Sequence, residues 1–185
     1  MSADLSRLLN AIGLLGIGTV LTLAFVDQIW FRDLPCPLCI LQRAGFFAAG
    51  FGIALNLIFG PKPSHYGIAI LGAVAGAAIS LRQILLHIVP GTGSYGNPVF
   101  GLHLYTWAFI AAVLIAVGCA VMLLDDRQFS RAEPMSVRLK VLPLSALLLF
   151  LALAIANVAS TIALCGGGLC PESPKDYMLF DSAPI

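Results

Sequence analysis

Apolar residues gather along this chain in five long stretches, at about residues 8–31, 39–60, 66–89, 101–124 and 141–164. Each is long enough, as a helix, to cross the roughly 30 Å hydrocarbon layer of a membrane, which takes about 20 residues. The breaks between them carry helix-stopping residues. Pro35 and Pro37 separate the first two stretches, Pro61 and Pro63 follow the second, and Pro90 and Gly91 follow the third. Proline removes a backbone donor and glycine relaxes the backbone, so both mark helix ends. Short connections make neighbouring helices antiparallel, and no repeat or low-complexity segment interrupts the pattern. The expectation is an all-α integral membrane protein, a single compact bundle of five transmembrane helices.

Composition sharpens this picture. Hydrophobic residues make up 59% of the 185 residues and charged ones 10%, against about 25% charged in an ordinary soluble domain. A net charge of +1 gives no large field of either sign, so nucleic acid is excluded as a partner. The few cations are distributed unevenly. Arg7, Lys62, Arg127, Arg131, Arg138 and Lys140 fall on one side of the expected spans; Arg32 and Lys175 fall on the other, and Arg43 and Arg82 lie within spans. Cytoplasmic loops are enriched in Lys and Arg, so the N-terminus is expected in the cytoplasm and the C-terminus outside. Trp30 and Trp107 then sit near the outer interface, where an amphipathic ring is favoured. The first stretch exceeds the length of a signal core and has no small-residue cleavage site before the cysteines, so it reads as a retained span.

Four of the five cysteines form two close pairs, Cys36/Cys39 and Cys165/Cys170. Both map to the outer side, where disulfides persist. Cys36-Pro37-Leu38-Cys39 opens a helix: Cys36 stands near the N-cap and Pro37 suits the first turn. Unpaired N–H groups and the positive end of the helix dipole favour a thiolate at Cys39. Arg43 follows at i+4, on the same face, where its guanidinium can favour that thiolate or hold a polar ligand group. A C-x-x-C also fits a structural disulfide, half of a zinc site or a haem attachment. No His follows Cys39, and zinc prefers a reducing compartment, so redox chemistry is the favoured reading and no metal is expected. The alternative reading of Arg43 is a snorkelling side chain; Arg82, expected deeper within the third span, has less room to do so, and intramembrane charge is a functional signal.

Cys165-Gly-Gly-Gly-Leu-Cys170 can close a small loop, either as a second redox pair or as a structural clip. Cys119 reads as a small buried hydrophobe. His65, His87, His103 and Asp27 read as interfacial or loop residues, with His103 the one placed to touch a ligand.

Together, Cys36-Pro-Leu-Cys39-Ile-Leu-Gln-Arg43, Arg82-Gln83-Ile-Leu-Leu-His87-Ile-Val-Pro90 and Gly101-Leu102 followed by Trp107 resemble the disulfide bond formation protein B (DsbB) family of quinone-linked thiol oxidases, over roughly residues 10–125. The resemblance implies a four-helix transmembrane bundle in the bacterial inner membrane, here with a fifth transmembrane helix added. It implies reoxidation of a periplasmic thioredoxin-fold dithiol oxidase (DsbA-like), with electrons passed to ubiquinone or menaquinone. By carry-over, Cys39 would be the thiolate facing the quinone and Cys36 its exchange partner. Arg43 would polarise the quinone ring, and Arg82 and Gln83 would line its site.

On this reading residues 1–125 form the DsbB-like bundle, 126–140 a cytoplasmic loop, 141–164 the extra span and 165–185 a periplasmic tail. One departure stands out. The family carries a second cysteine pair between spans three and four, whereas Pro90 to Phe100 holds none. Cys165 and Cys170 are expected to replace it, across the 8–10 Å that separates packed helices. The competing expectation is a non-catalytic membrane subunit or assembly factor that kept the bundle.

Overall fold

The computed structural model describes residues 3–89, 91–93, 98–129 and 141–180. Five helices account for most of them: α1 (Ala3–Trp30), α2 (Pro37–Phe59), α3 (Pro63–Leu86), α4 (Leu104–Leu123) and α5 (Val141–Cys165), with a short 3₁₀ turn at Asp126–Gln128. All five are long and apolar enough to cross a membrane, and the architecture is the expected all-α bundle. Pro90, Arg131, Arg138, Lys140 and the last five residues lie outside the described residues.

Local chemistry sets the helix ends. Pro37 and Pro63 occupy the first turns of α2 and α3, where a missing N–H costs nothing. Four ends differ from the sequence reading by three residues or more: α1 starts at Ala3 and α3 at Pro63, both earlier than expected. α3 stops at Leu86, with His87 as its C-cap. α4 starts at Leu104 instead of 101 because Val99 and Leu102 exchange backbone hydrogen bonds, 2.8 and 3.1 Å. Phe100 (φ 51°) and Gly101 (φ 78°) turn the chain between them.

Close backbone approach holds α2 to α3. A Cβ at Gly45 would lie 2.7 Å from the Gly76 Cα, and one at Gly72 would run into the Ala49 backbone nitrogen. Gly45, Ala49 and Gly52 thus form a smooth stripe against Ala69, Gly72, Ala73 and Gly76. Helices in lipid gain little from hydrophobic burial and associate through such dispersion contact between small residues. α4 packs on α3, and α1 on α2.

α5 lies against α1 and α2. Gly18 meets Leu149 and Leu153, and Gln28 meets Ser160, so residue numbers rise together and α1 and α5 run parallel. Phe150 covers Gly50, where a Cβ would overlap its ring, and sits 5.7 Å from the Phe47 ring. As a result Cys165, at the end of α5, shares one end of the bundle with Cys36 and Cys39.

The opposite end is closed by a buried polar cluster. Gln128 Oε1 accepts from Ser6 Oγ (3.0 Å) and Tyr66 OH (3.1 Å). Asn10 donates to Tyr66 OH (2.8 Å), and Asn56 donates to Asn10 (3.1 Å). His65, read above as interfacial, is buried in the first turn of α3 beside the Asn56 carbonyl oxygen, 3.1 Å away. In hydrocarbon such groups must satisfy one another, which ties α1, α2, α3 and the 3₁₀ turn together. Cys119 is buried in the apolar core.

Candidate redox site

Cys36 is the N-cap of α2 in extended backbone (φ −67°, ψ 164°), and its sulfur accepts the Cys39 backbone N–H at 3.2 Å. The orphan donors of the helix end therefore reach Cys36 directly. Both thiols are free. Cys36 is 3% exposed, and Cys39 is half-buried.

Gln83 of α3 joins the two sulfurs. Its Nε2 lies 3.6 Å from Cys36 Sγ and 3.7 Å from Cys39 Sγ, while its Oε1 accepts from Gln42 Nε2 at 2.6 Å. Because Gln42 supplies the donor, the carbonyl side of Gln83 is committed to it and the NH₂ faces the sulfurs. The close α2–α3 stripe brings this amide within reach.

The Cys36 thiol is drawn down to about 7. The Cys39 side chain, donating to it, is the largest cause, followed by the backbone N–H groups of Cys39 and Leu38 and the Gln83 amide, against an opposing effect of burial. Charge on the dithiol accordingly concentrates at Cys36, the helix cap, and not at Cys39 as the sequence reading expected, because the Cys39 backbone N–H and side chain both donate to the Cys36 sulfur.

One turn further along α2, Arg43 is buried at 7% exposure. Its guanidinium turns toward α1: Nη1 donates to Gln28 Oε1 (2.7 Å), Nη2 to Ala24 O (2.9 Å), and Cζ stacks 4.9 Å from the centre of the Phe25 ring. These partners are neutral, so the cation is held by hydrogen bonds and a ring face. Gln28 in turn donates from Nε2 to Ser160 Oγ (2.7 Å) and Tyr177 OH (3.0 Å).

Arg82 falls elsewhere. It was expected deep in the third span, but α3 ends at Leu86, and its side chain is exposed. Successive helix residues are about 100° apart, so burying Gln83 turns Arg82 to the bundle surface. Cys165 and Cys170 form a disulfide with a Cα–Cα distance of 4.5 Å, at the same end of the bundle as the other pair. His87 and His103 flank the Tyr105 ring, with centroids 5.8 and 5.2 Å away. Trp30 ends α1 and is 81% exposed.

The site thus unites Cys36, Cys39, Arg43 and Gln83 and adds Gln28, Gln42, Ser160 and Tyr177, which the sequence did not single out. Fold and site together define a class: a multi-span helical membrane protein with a dithiol at a helix cap and a buried arginine behind it. Residues 6–94, just under half of the chain, match the family model described as disulfide bond formation protein DsbB, so this stretch is similar to that family, and the likeness together with five apolar helices points to a multi-pass bacterial membrane protein.

Relatives named disulfide bond formation protein B agree. The protein from Chromobacterium violaceum is 42% identical over 71 residues, covering 36% of this chain and 43% of the relative. The one from Stutzerimonas stutzeri is 35% identical over 88 residues, covering 45% and 54%. A more distant match, from Burkholderia pseudomallei, is 26% identical over 163 residues and takes in 65% of this chain and 90% of the relative. The chain spans about half the length of the first two relatives. No solved structure matches.

Proposed function

We propose that the protein is a quinone-dependent thiol–disulfide oxidoreductase of the bacterial inner membrane, which reoxidises a periplasmic thioredoxin-fold dithiol oxidase. The observation that carries this reading is the Gln83 amide facing both sulfurs of a capped dithiol, with Arg43 buried one turn behind. A purely structural pair has no need of either. The cysteine-bearing end faces the periplasm on this reading, with the N-terminus in the cytoplasm.

The chemistry is two successive dithiol–disulfide exchanges. A thiolate of the partner attacks Cys165–Cys170; a mixed disulfide forms and the partner's second thiol resolves it, leaving an oxidised partner and two tail thiols. These reduce the Cys36–Cys39 disulfide by the same route. In each exchange two electrons and two protons move and one disulfide replaces another. In the tail, three glycines provide the freedom for the pair to reach both partners.

The final sink is a membrane quinone, ubiquinone or menaquinone, which takes up two electrons and two protons. The residues suit such a group: Arg43 is a buried cation whose hydrogen bonds go to the neutral oxygens of Gln28 and Ala24, so a carbonyl oxygen beside it would meet a strong donor in a medium that raises its worth. Arg43 and Gln83 would hold the polar ring, with Arg82 at the surface where an amphiphile enters from lipid. Cys39 would face it, and Cys36 would carry the exchange.

Turnover tests this directly. The full-length protein in detergent, supplied with a reduced thioredoxin-fold oxidase and a short-chain ubiquinone, should oxidise the partner catalytically. Cys39→Ser should abolish turnover. Changing both Cys165 and Cys170 to Ser should block partner oxidation while leaving quinone reduction by the chemically reduced protein intact. Wild-type protein that leaves the partner reduced would contradict the reading; normal turnover in the tail variant would remove the tail pair from it.

A further inference from the structure

Gln28 connects the arginine to parts of the chain that lie outside the family match. Its amide orientation is settled by its partners. A guanidinium can only donate, so the atom 2.7 Å from Arg43 Nη1 is the carbonyl oxygen. The NH₂ must then face the other way, where it finds two hydroxyl oxygens, Ser160 Oγ and Tyr177 OH. Both of its hydrogens are committed. Gln28 is itself 3% exposed, a depth at which an unpaired amide would be costly.

The tail is built to deliver Tyr177. After Cys165 the chain reverses through Gly166 (φ 57°) and Gly167 (φ 81°), a backbone region that only glycine enters freely. It returns along the end of α5, where Met178 N donates to Leu164 O (3.4 Å) and Leu179 N to Ala163 O (3.0 Å). These bonds satisfy carbonyls in the last turn of the helix. The Cys165–Cys170 disulfide closes the loop at its base, and the Tyr177 ring packs edge-on against Phe180, 6.3 Å between centres.

We propose that Ser160 and Tyr177 are positioning residues of the redox site: they lock the Gln28 amide, and Gln28 holds Arg43 behind the Cys36–Cys39 pair. The fifth span and tail thereby complete a site whose Cys36, Cys39 and Arg43 all lie at the start of α2. The inference rests on the reading of Cys36–Cys39 as redox-active. Without the two hydroxyls the Gln28 amide is free to rotate, and Arg43 loses one of its two hydrogen-bond acceptors.

A cation beside a dithiol favours the thiolate and so the reduced form. The experiment is therefore an equilibrium titration of the full-length protein in detergent against a glutathione redox buffer. Alkylation and mass spectrometry of the peptide carrying Cys36 and Cys39 read that pair separately from the tail disulfide. Arg43→Gln should move the equilibrium toward the disulfide. Tyr177→Phe, which keeps the ring and its packing on Phe180, should move it the same way by about two- to tenfold, the worth of a single hydrogen bond.

Combining Tyr177→Phe with Arg43→Gln should add nothing to Arg43→Gln alone, because the tyrosine acts through the arginine. Ser160→Ala should behave like Tyr177→Phe. A Tyr177→Phe equilibrium equal to wild type, or a shift that persists undiminished without Arg43, would overturn the positioning role. A wild-type pair that does not titrate at all would overturn the redox reading itself, and the positioning role with it.

Discussion

Gln83 places one amide nitrogen within 3.7 Å of two sulfurs, and that contact supports a specific chemical consequence. Cys36 lies near 7 chiefly because the Cys39 side chain donates to it. The sign follows directly: a lowered value means the thiolate forms at lower pH, and the thiolate is the species that reacts. Alkylation of Cys36 in the reduced protein by a small reagent should therefore rise with pH through a midpoint near 7 and then level off. In Cys39→Ala, which removes the largest cause, the midpoint should move toward the ordinary thiol value of 9.0. A wild-type profile still climbing at pH 8.5 would contradict the assignment. The motif from Cys36 to Arg43 was legible because its spacing fixes a helix face. Gln28, Ser160 and Tyr177 were not, since partners 132 and 149 residues apart leave no periodic trace. Nor does the adjacent pair Arg82-Gln83 reveal which member faces inward; only the packing of α3 decides.

Among the elements, α2 and α3 carry the site, and their approach depends on glycine. Gly72→Val would drive a branched side chain into the Ala49 backbone. The helices must separate, at a cost of about 1–3 kcal/mol or more. The expected result is a lower thermal midpoint in detergent, together with loss of the Gln83 contact, read as slower alkylation of Cys36 at pH 7. Gly118, with open space around its position, is the control: Gly118→Ala should leave both unchanged or slightly improve stability, since alanine is the better helix former. Proline made most helix ends legible. The start of α4 was not, because the turn at Val99–Leu102 is set by backbone pairing within apolar sequence.

In the whole molecule, the parallel course of α1 and α5 brings the two cysteine pairs to one end of the bundle. Five apolar runs made the spans legible, but hydropathy carries no information on which helices touch, so the seat of α5 against α1 and α2 came only with the structure. Phe150 is its main anchor, on Gly50 and Phe47. Phe150→Ala should loosen α5 by about 1–3 kcal/mol, below the cost in a soluble core because lipid replaces the lost contacts. Limited proteolysis of the tail should then accelerate while the α2–α3 core stays resistant. An unchanged tail would show that Ser160 and Tyr177 hold α5 unaided.

The central claim is that the Cys36–Cys39 dithiol gives its electrons to a quinone, and the most direct measurement needs no partner protein. Chemically reduced full-length protein is freed of reductant, mixed with excess short-chain ubiquinone in detergent, and followed by quinone absorbance. The account predicts prompt loss of quinone, formation of the Cys36–Cys39 disulfide in equal amount, and neither event in Cys39→Ser. Quinone left untouched by wild-type protein with free thiols would contradict it, and would favour a bundle kept as a non-catalytic membrane subunit.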